Sequence, residues 1–288
     1  MSQDNIVIVA ARRTPIGAFQ GALAPAQAPE LSAAASRAAL EDCGLDPADI
    51  SEVLLGCVLP AGIGQAPARQ AALAAGLPES VGCTTVNKVC GSGMKTVMLG
   101  ADLIRAGSAQ LVMAGGMESM TNAPYLMPKA RSGYRMGHQQ VLDHMFFDGL
   151  QNPYDGNMMG HFAEETAKKY GFSRDDQDAF AIASVERARA AADSGAFDAE
   201  IAPVAVKTRK AEATITTDEE PGRAEVSKIP DLRPAFAKDG TVTAASSSSI
   251  SDGAATLLLM SAAEAERRGM EPLARITGHS GYAQDPAW

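Results

Sequence analysis

The chain has 288 residues, a formal net charge of −9, and 46% hydrophobic against 20% charged residues. That is an ordinary globular balance, long enough for one large domain or two of usual size. The negative charge excludes a general nucleic-acid binder, which needs a cationic field to neutralise phosphates. No stretch approaches the length of a membrane span, and MSQDNIVIVAARRTP lacks the basic start and long apolar core of a secretory leader. Cys43, Cys57, Cys83 and Cys90 form no Cys-x-x-Cys pair. They read as free thiols in a reducing compartment, the cytoplasm.

Residues 5–10, NIVIVA, form a nearly continuous apolar run, as in a strand buried on both faces. The Ala-rich segment from Pro29 to Asp42 predicts a helix, with Pro29 to start it and Gly44 to stop it. EVLLGCVLP (52–60) reads as a second strand and ARQAALAAG (68–76) as a second helix. AQLVMAGG (109–116) is another buried strand. Strands alternating with helices predict a layered α/β fold with a mixed, largely parallel sheet. The pattern changes after about Ala123, and residues 124–160 show little periodicity, too long for a plain connection and therefore functional or interfacial. A helix is predicted after Phe172, capped by Ser173 with Asp176 three residues on and closed by Gly195. Residues from Ile201 to about Arg223 read as β-rich, AASSSSISDG (244–253) as a loop, ATLLLMS (255–261) as a buried strand, and LARITGHS (273–280) as the start of one more.

Between the second helix and AQLVMAGG lies TTVNKVCGSGMK. An apolar approach runs into Cys90, Gly91 and Gly93 follow, and MKTVMLGADLIRAG reads as a long helix. This layout puts a thiol at a strand-to-helix elbow, where unpaired N–H groups and the helix dipole favour an anion. A free Cys usually just fills space. One placed here is a candidate nucleophile for a covalent acyl intermediate.

Five blocks stand in order: IVAARRTPIGAFQGAL near the start, VNKVCGSGMK (86–95), AGGMESMTNAPY (114–125), LRPAFAKDGTVTA (232–244) and SISDGAA (249–255). On these blocks the chain resembles the thiolases, CoA-dependent acyltransferases, over essentially its whole length. It looks most like the bacterial acetyl-CoA acetyltransferases among them. The resemblance implies two similar α/β halves packed back to back. Residues 1–120 and 245–270 would form the first half. Residues 121–244 would form an inserted loop domain with CoA-binding and oligomer contacts, and residues 271–288 would begin the second half.

The resemblance also implies site roles. Cys90 takes the acyl group as a thioester, its own N–H serving as an oxyanion donor. Ser248 meets the pantetheine of CoA, with Ala244 a neighbouring contact. Met159 lines the acyl pocket, and Met158 stands where short-chain relatives often carry His. Arg223 lies near the adenine and phosphate end. Ser246 replaces an expected Asn. Lys129, Arg131 and Arg135 fall in a loop that joins dimers into a tetramer, so a homo-oligomer is implied, with an acyl-CoA as the small-molecule substrate and no nucleic acid or membrane partner. No metal or prosthetic group is implied, and coenzyme A enters as part of the substrate. The segment TGHSG at 277–281 lacks the Pro of the family's Gly-His-Pro motif, so His279 is expected to be a surface or packing His.

The implied reaction condenses two acetyl-CoA to acetoacetyl-CoA and CoA, or runs in reverse. The family's activating His, its Asn-Glu-Ala-Phe block and its second Cys are not among these 288 residues. The chain as given is therefore expected to be inactive in turnover. The alternatives are a broad-range degradative 3-ketoacyl-CoA thiolase and a non-catalytic module that binds CoA or a partner.

Overall fold

The computed structural model describes residues 5–207 and 212–286. Thr208–Ala211 of the expected β-rich stretch, and Ala287 and Trp288 of the expected start of a second half, lie outside the described residues.

In chain order the strands are β1 (Ile6–Arg13), β2 (Gly17–Ala18), β3 (Glu52–Gly56), β4 (Gly82–Val86), β5 (Leu111–Ser119), β6 (Tyr125–Leu126), β7 (Leu142–Asp143), β8 (Val204–Lys207), β9 (Glu212–Ile215), β10 (Ser251–Ser261) and β11 (Ala274–Ile276). The helices are α1 (Ala28–Cys43), α2 (Pro67–Ala74), α3 (Ser92–Arg105), α4 (Met159–Tyr170), α5 (Arg174–Asp193), α6 (Glu219–Arg223) and α7 (Ala262–Arg268). The main sheet runs β11-β1-β10-β5-β3-β4, with β2 paired to β10.

Period-two alternation sorts the apolar runs onto two faces. Val53, Leu55, Leu111, Met113, Leu258 and Met260 pack with α1 and α2 in one core. Leu54, Val112, Ala114 and Leu259 pack with Ala101 and Ile104 of α3 in the other. Both faces are covered, so the strands read as continuous apolar segments.

The layered α/β class holds, but the sheet is less parallel than expected. Among the described strands of the main sheet, β3 pairs in parallel with β4 and with β5, whereas β10 is antiparallel to both β1 and β5. Apolar runs report burial on two faces and carry no information on direction. Direction follows from the connections, and β10 arrives after the long excursion of residues 120–250 rather than through a crossover helix.

Boundaries follow hydrogen bonding. Gly44 closes α1 at φ +57°, a left-handed position natural to Gly. The strand expected over 52–60 stops at Gly56. The N–H groups of Val58 and Leu59 leave the ladder for the Glu118 carboxylate, at 2.8 and 3.0 Å. The Ser173 cap forms as expected: its hydroxyl accepts the Asp176 N–H at 3.1 Å, and its N–H returns to the Asp176 carboxylate at 3.1 Å. The Ser173 hydroxyl also donates to the Asp176 carboxylate at 2.6 Å, and that bond, with the Ser173 N–H, holds Asp176 below the usual carboxylate range.

The excursion holds more helix than its composition suggested. Helix α4 begins inside the stretch that showed little periodicity. Its Glu164 accepts the N–H groups of Thr241 and Val242, both at 2.9 Å, tying α4 to the segment before the Ser-rich loop. The stretch read as β-rich contains the β8–β9 hairpin but ends in helix α6.

Helix α3 is fastened to β5 by one buried hydroxyl. Thr96 is fully buried; its Oγ1 accepts the Gly115 N–H at 3.0 Å and lies 2.7 Å from Gly93 O and 2.8 Å from Gly115 O. Thr96→Val keeps the shape and strands the Gly115 N–H, so we expect a loss of about 1–3 kcal/mol. An unchanged midpoint in urea denaturation would remove this bond from the account.

Candidate active site

Strand β4 delivers the chain to the elbow, and α3 leaves it. Cys57 N–H donates to Val86 O at 3.0 Å, holding the end of β4 against the chain that follows β3. Ser92, at the first turn of α3, ties the elbow together. Its hydroxyl donates to Val89 O at 2.6 Å and accepts the Lys88 N–H at 2.8 Å. Asn87 Oδ1 accepts the Val89 N–H at 2.9 Å. Val89 is held at φ +47°, a conformation a β-branched residue rarely adopts. Such strain costs on the order of 1–3 kcal/mol and persists only where the surroundings over-determine it.

Next to this strained residue Cys90 is exposed, while Cys57 is buried and Cys43 and Cys83 are half-buried. Burial, reinforced by Glu118, pushes the Cys57 thiol up to about 12. Burial likewise raises Cys43 and Cys83. Thiols held protonated are poor nucleophiles, so the accessible one is Cys90.

A cavity of about 320 Å³ opens beside it, lined by Gly56, Val89, Cys90, Arg13 and Glu118 among others. Glu118 is largely buried, and burial raises its pKa against the opposing pull of the Val58 and Leu59 N–H groups. The Arg13 guanidinium bonds both Asp218 oxygens, at 2.7 and 3.0 Å, and Glu200 at 2.6 Å, and lies 5.1 Å above the Phe197 ring.

A second groove, about 640 Å³, is lined by Arg223, Ala244, Ala245, Ser247, Ser249 and Lys228 among others. Arg223 and Ala244, proposed from sequence as CoA contacts, therefore meet here. Arg189 braces this wall by donating to Pro221 O at 2.7 Å and to Ala224 O. Ser248 is exposed and lies between two lining serines without lining the groove itself. Met158 caps α4 and is half-buried, Met159 is its exposed first residue, and neither lines either cavity. Ser246, where an Asn was expected, is held by its own loop: its hydroxyl accepts the Thr243 N–H at 2.9 Å.

The two cavities share one support. Asp218 reaches Arg13 in the first, and Glu220, two residues on, lines the second. Between them Glu219 accepts the N–H groups of Ala18 and Ala22, at 2.8 and 2.9 Å.

The remaining candidates lie elsewhere. Lys129, Arg131 and Arg135 are exposed, and Lys129 borders a separate cavity with Tyr134 and His138. His279 pairs with Asp102 of α3 at 2.9 Å, a surface contact. His144 is buried against Asp148 at 2.6 Å. Among the described residues no group of three or more His, Cys, Asp or Glu could hold a metal, and no helix is long and apolar enough to cross a membrane. Sequence reading missed the supporting roles of Arg13, Asn87, Ser92 and Glu118. All four lie inside quoted blocks, but nothing in their spacing says which backbone groups they reach.

The chain matches the thiolase N-terminal domain over residues 6–263. It is 52% identical to the acetyl-CoA acetyltransferase of Pseudomonas aeruginosa, over 99% of this chain and 73% of that one. It is 48% identical to that of Cupriavidus necator, over 98% of this chain and 72% of that one. The crystal structure of the Bacillus anthracis acetyl-CoA acetyltransferase superposes with a TM-score of 0.95 at 39% identity, covering 98% of this chain and 72% of that one.

Proposed function

The chain belongs to the thiolase family, and on that premise we propose that it carries the nucleophile and the CoA groove of an acetyl-CoA acetyltransferase. The observation that carries this reading is Cys90, the exposed thiol of the four, at a strained elbow beside a cavity. The Cys90 sulfur attacks the thioester carbonyl of acetyl-CoA, an S–acyl bond forms, and CoA leaves as its thiol. The Cys90 N–H supports the oxyanion, a contribution of about 3–4 kcal/mol in comparable sites. In the parent reaction a second acetyl-CoA, deprotonated at Cα, takes the acetyl group to give acetoacetyl-CoA, and the reverse step is thiolysis.

In this reading the groove at Arg223 and Ala244 receives CoA, with Arg223 toward its phosphates and Ser248 toward pantetheine. Met159 is assigned to the acyl pocket and Met158, where short-chain relatives often carry His, to chain-length preference, with neither lining the Cys90 cavity itself. Residues 1–120 and 245–270 act as one half of the enzyme and 121–244 as its loop domain. The protein works in the cytoplasm as a homo-oligomer and needs no separate cofactor. In this reading the step this chain's own residues carry is acylation at Cys90.

Intact-protein mass after mixing with acetyl-CoA tests the reading. An acetyl adduct is expected, and it should vanish in Cys90→Ala. An adduct that survives the substitution, or none on folded protein, would sink it. Met158 in place of His favours a second reading, a broad-range degradative thiolase. That reading requires longer acyl-CoAs to acylate Cys90 faster than acetyl-CoA does.

A further inference from the structure

We propose that Glu118 is a positioning residue that sets the Cys90 elbow, acting through Val58 and Asn87. This deepens the reading of Cys90 as the nucleophile and rests on it.

Glu118 stands on β5 at the edge of the Cys90 cavity. A carboxylate so largely removed from water is costly unless its oxygens are well used. Both are committed to one short loop. Oε2 accepts the Val58 N–H at 2.8 Å, and Oε1 accepts the Leu59 N–H at 3.0 Å with the Cys57 thiol at 3.6 Å. The opposite side of the same residue carries the link onward. Val58 O accepts from Asn87 Nδ2 at 3.3 Å, and Asn87 Oδ1 accepts the Val89 N–H at 2.9 Å. Val89 is the residue held at φ +47° immediately before Cys90.

An unbroken hydrogen-bonded path thus joins a half-buried carboxylate to the strained residue next to the thiol. The far end of the loop is fixed as well. Ala61 N–H donates to His144 Nε2 at 3.4 Å, and His144 Nδ1 bonds Asp148 at 2.6 Å. The loop is thus held at both ends, by Glu118 and by His144, and Asn87 is its bond to the elbow. Strain of this kind survives only where neighbours enforce it, and Asn87 with Glu118 behind it supplies that enforcement.

The test is the rate of Cys90 alkylation by iodoacetamide in the full chain, with the modified peptide identified by mass. Glu118→Gln keeps the volume but turns an amide toward one of the two N–H groups. We expect it to slow alkylation about three- to tenfold, and Asn87→Ala to do the same. The double variant should be no slower than the slower single, because both act on one path. A purely structural role for Glu118 predicts multiplying effects instead. Wild-type reactivity in Glu118→Gln, or multiplying effects, overturns the proposal.

Should Glu118→Gln fail to fold, Asn87→Asp decides. It keeps the acceptor for Val89 and loses the donor to Val58, so alkylation should slow as in Asn87→Ala. An unchanged rate there overturns the path. If wild-type protein is alkylated but never acylated by acetyl-CoA, the nucleophile reading fails while the alkylation comparison still tests the positioning role.

Discussion

Gly56→Ala is expected to destabilise the protein by about 2–3 kcal/mol and to slow alkylation of Cys90 at least about tenfold. Gly56 ends β3, paired with Val86 on one side and Gly116 on the other. A Cβ at this position would lie 2.7 Å from the Ser92 carbonyl carbon and Cβ, and 2.8 Å from Gly93 N. These are atoms of the first turn of α3, mostly backbone, so no rotamer change relieves the overlap. Either β3 recedes from its neighbours or the start of α3 lifts, and Ser92 carries the elbow with it through its bonds to Lys88 and Val89. The close approach of strand to helix is therefore what places Cys90 over the cavity. Gly278→Ala provides the control, because a Cβ there meets nothing within 4 Å. A denaturation midpoint and an alkylation rate, measured on both variants, decide it. If Gly56→Ala is destabilised but reacts at the wild-type rate, strand–helix contact does not set the elbow.

The part of this site written in the sequence is the part that depends on local chain chemistry. Cys90 was legible because an apolar strand, a Cys and two glycines before a helical run can form few other structures. Arg223 and Ala244 were legible through resemblance alone, since neither exposed residue belongs to a periodic pattern. The sheet order was not legible. Burial on both faces gives β3, β5 and β10 the same apolar signature whether they run parallel or antiparallel. Nor was the end of β3, because Val58 and Leu59 look like strand residues and leave the ladder only because Glu118, sixty residues on, offers its carboxylate. Helix α4 was missed for a related reason. Its Met159, Phe162, Ala163 and Ala167 do fall at helical spacing, but the stripe begins at the edge of an aperiodic stretch, and the bonds that tie it to Thr241 and Val242 are polar and distant in sequence. What escaped reading at the end of β3 and at α4 is a side chain serving a remote backbone, which composition and spacing do not encode.

Arg13→Ala is expected to cost about 2–3 kcal/mol and to loosen the seat of α6, weakening acylation at subsaturating acetyl-CoA more than at saturation. The guanidinium joins three elements: β1, which carries it; Asp218, which caps α6; and Glu200, in the turn before β8. Its side chain is 19% exposed and that of Asp218 13%, so removing either partner leaves a poorly solvated charge behind. Burial by itself would raise the Asp218 pKa. The bonds from Arg13 and the Ile16 N–H outweigh it and hold Asp218 below its ordinary value. A carboxylate held low in the folded state adds stability that is complete above the unfolded value, about 3.9, and fades as the pH falls below it. The wild-type stability curve should therefore drop below about pH 4, and Asp218→Asn should flatten that drop while lowering stability at pH 7. Because Glu220 lines the CoA groove two residues beyond Asp218, the same variant should raise the acetyl-CoA concentration needed for half-maximal acylation. Equal acid sensitivity in wild type and Asp218→Asn would show that this pair does not hold the groove to the sheet.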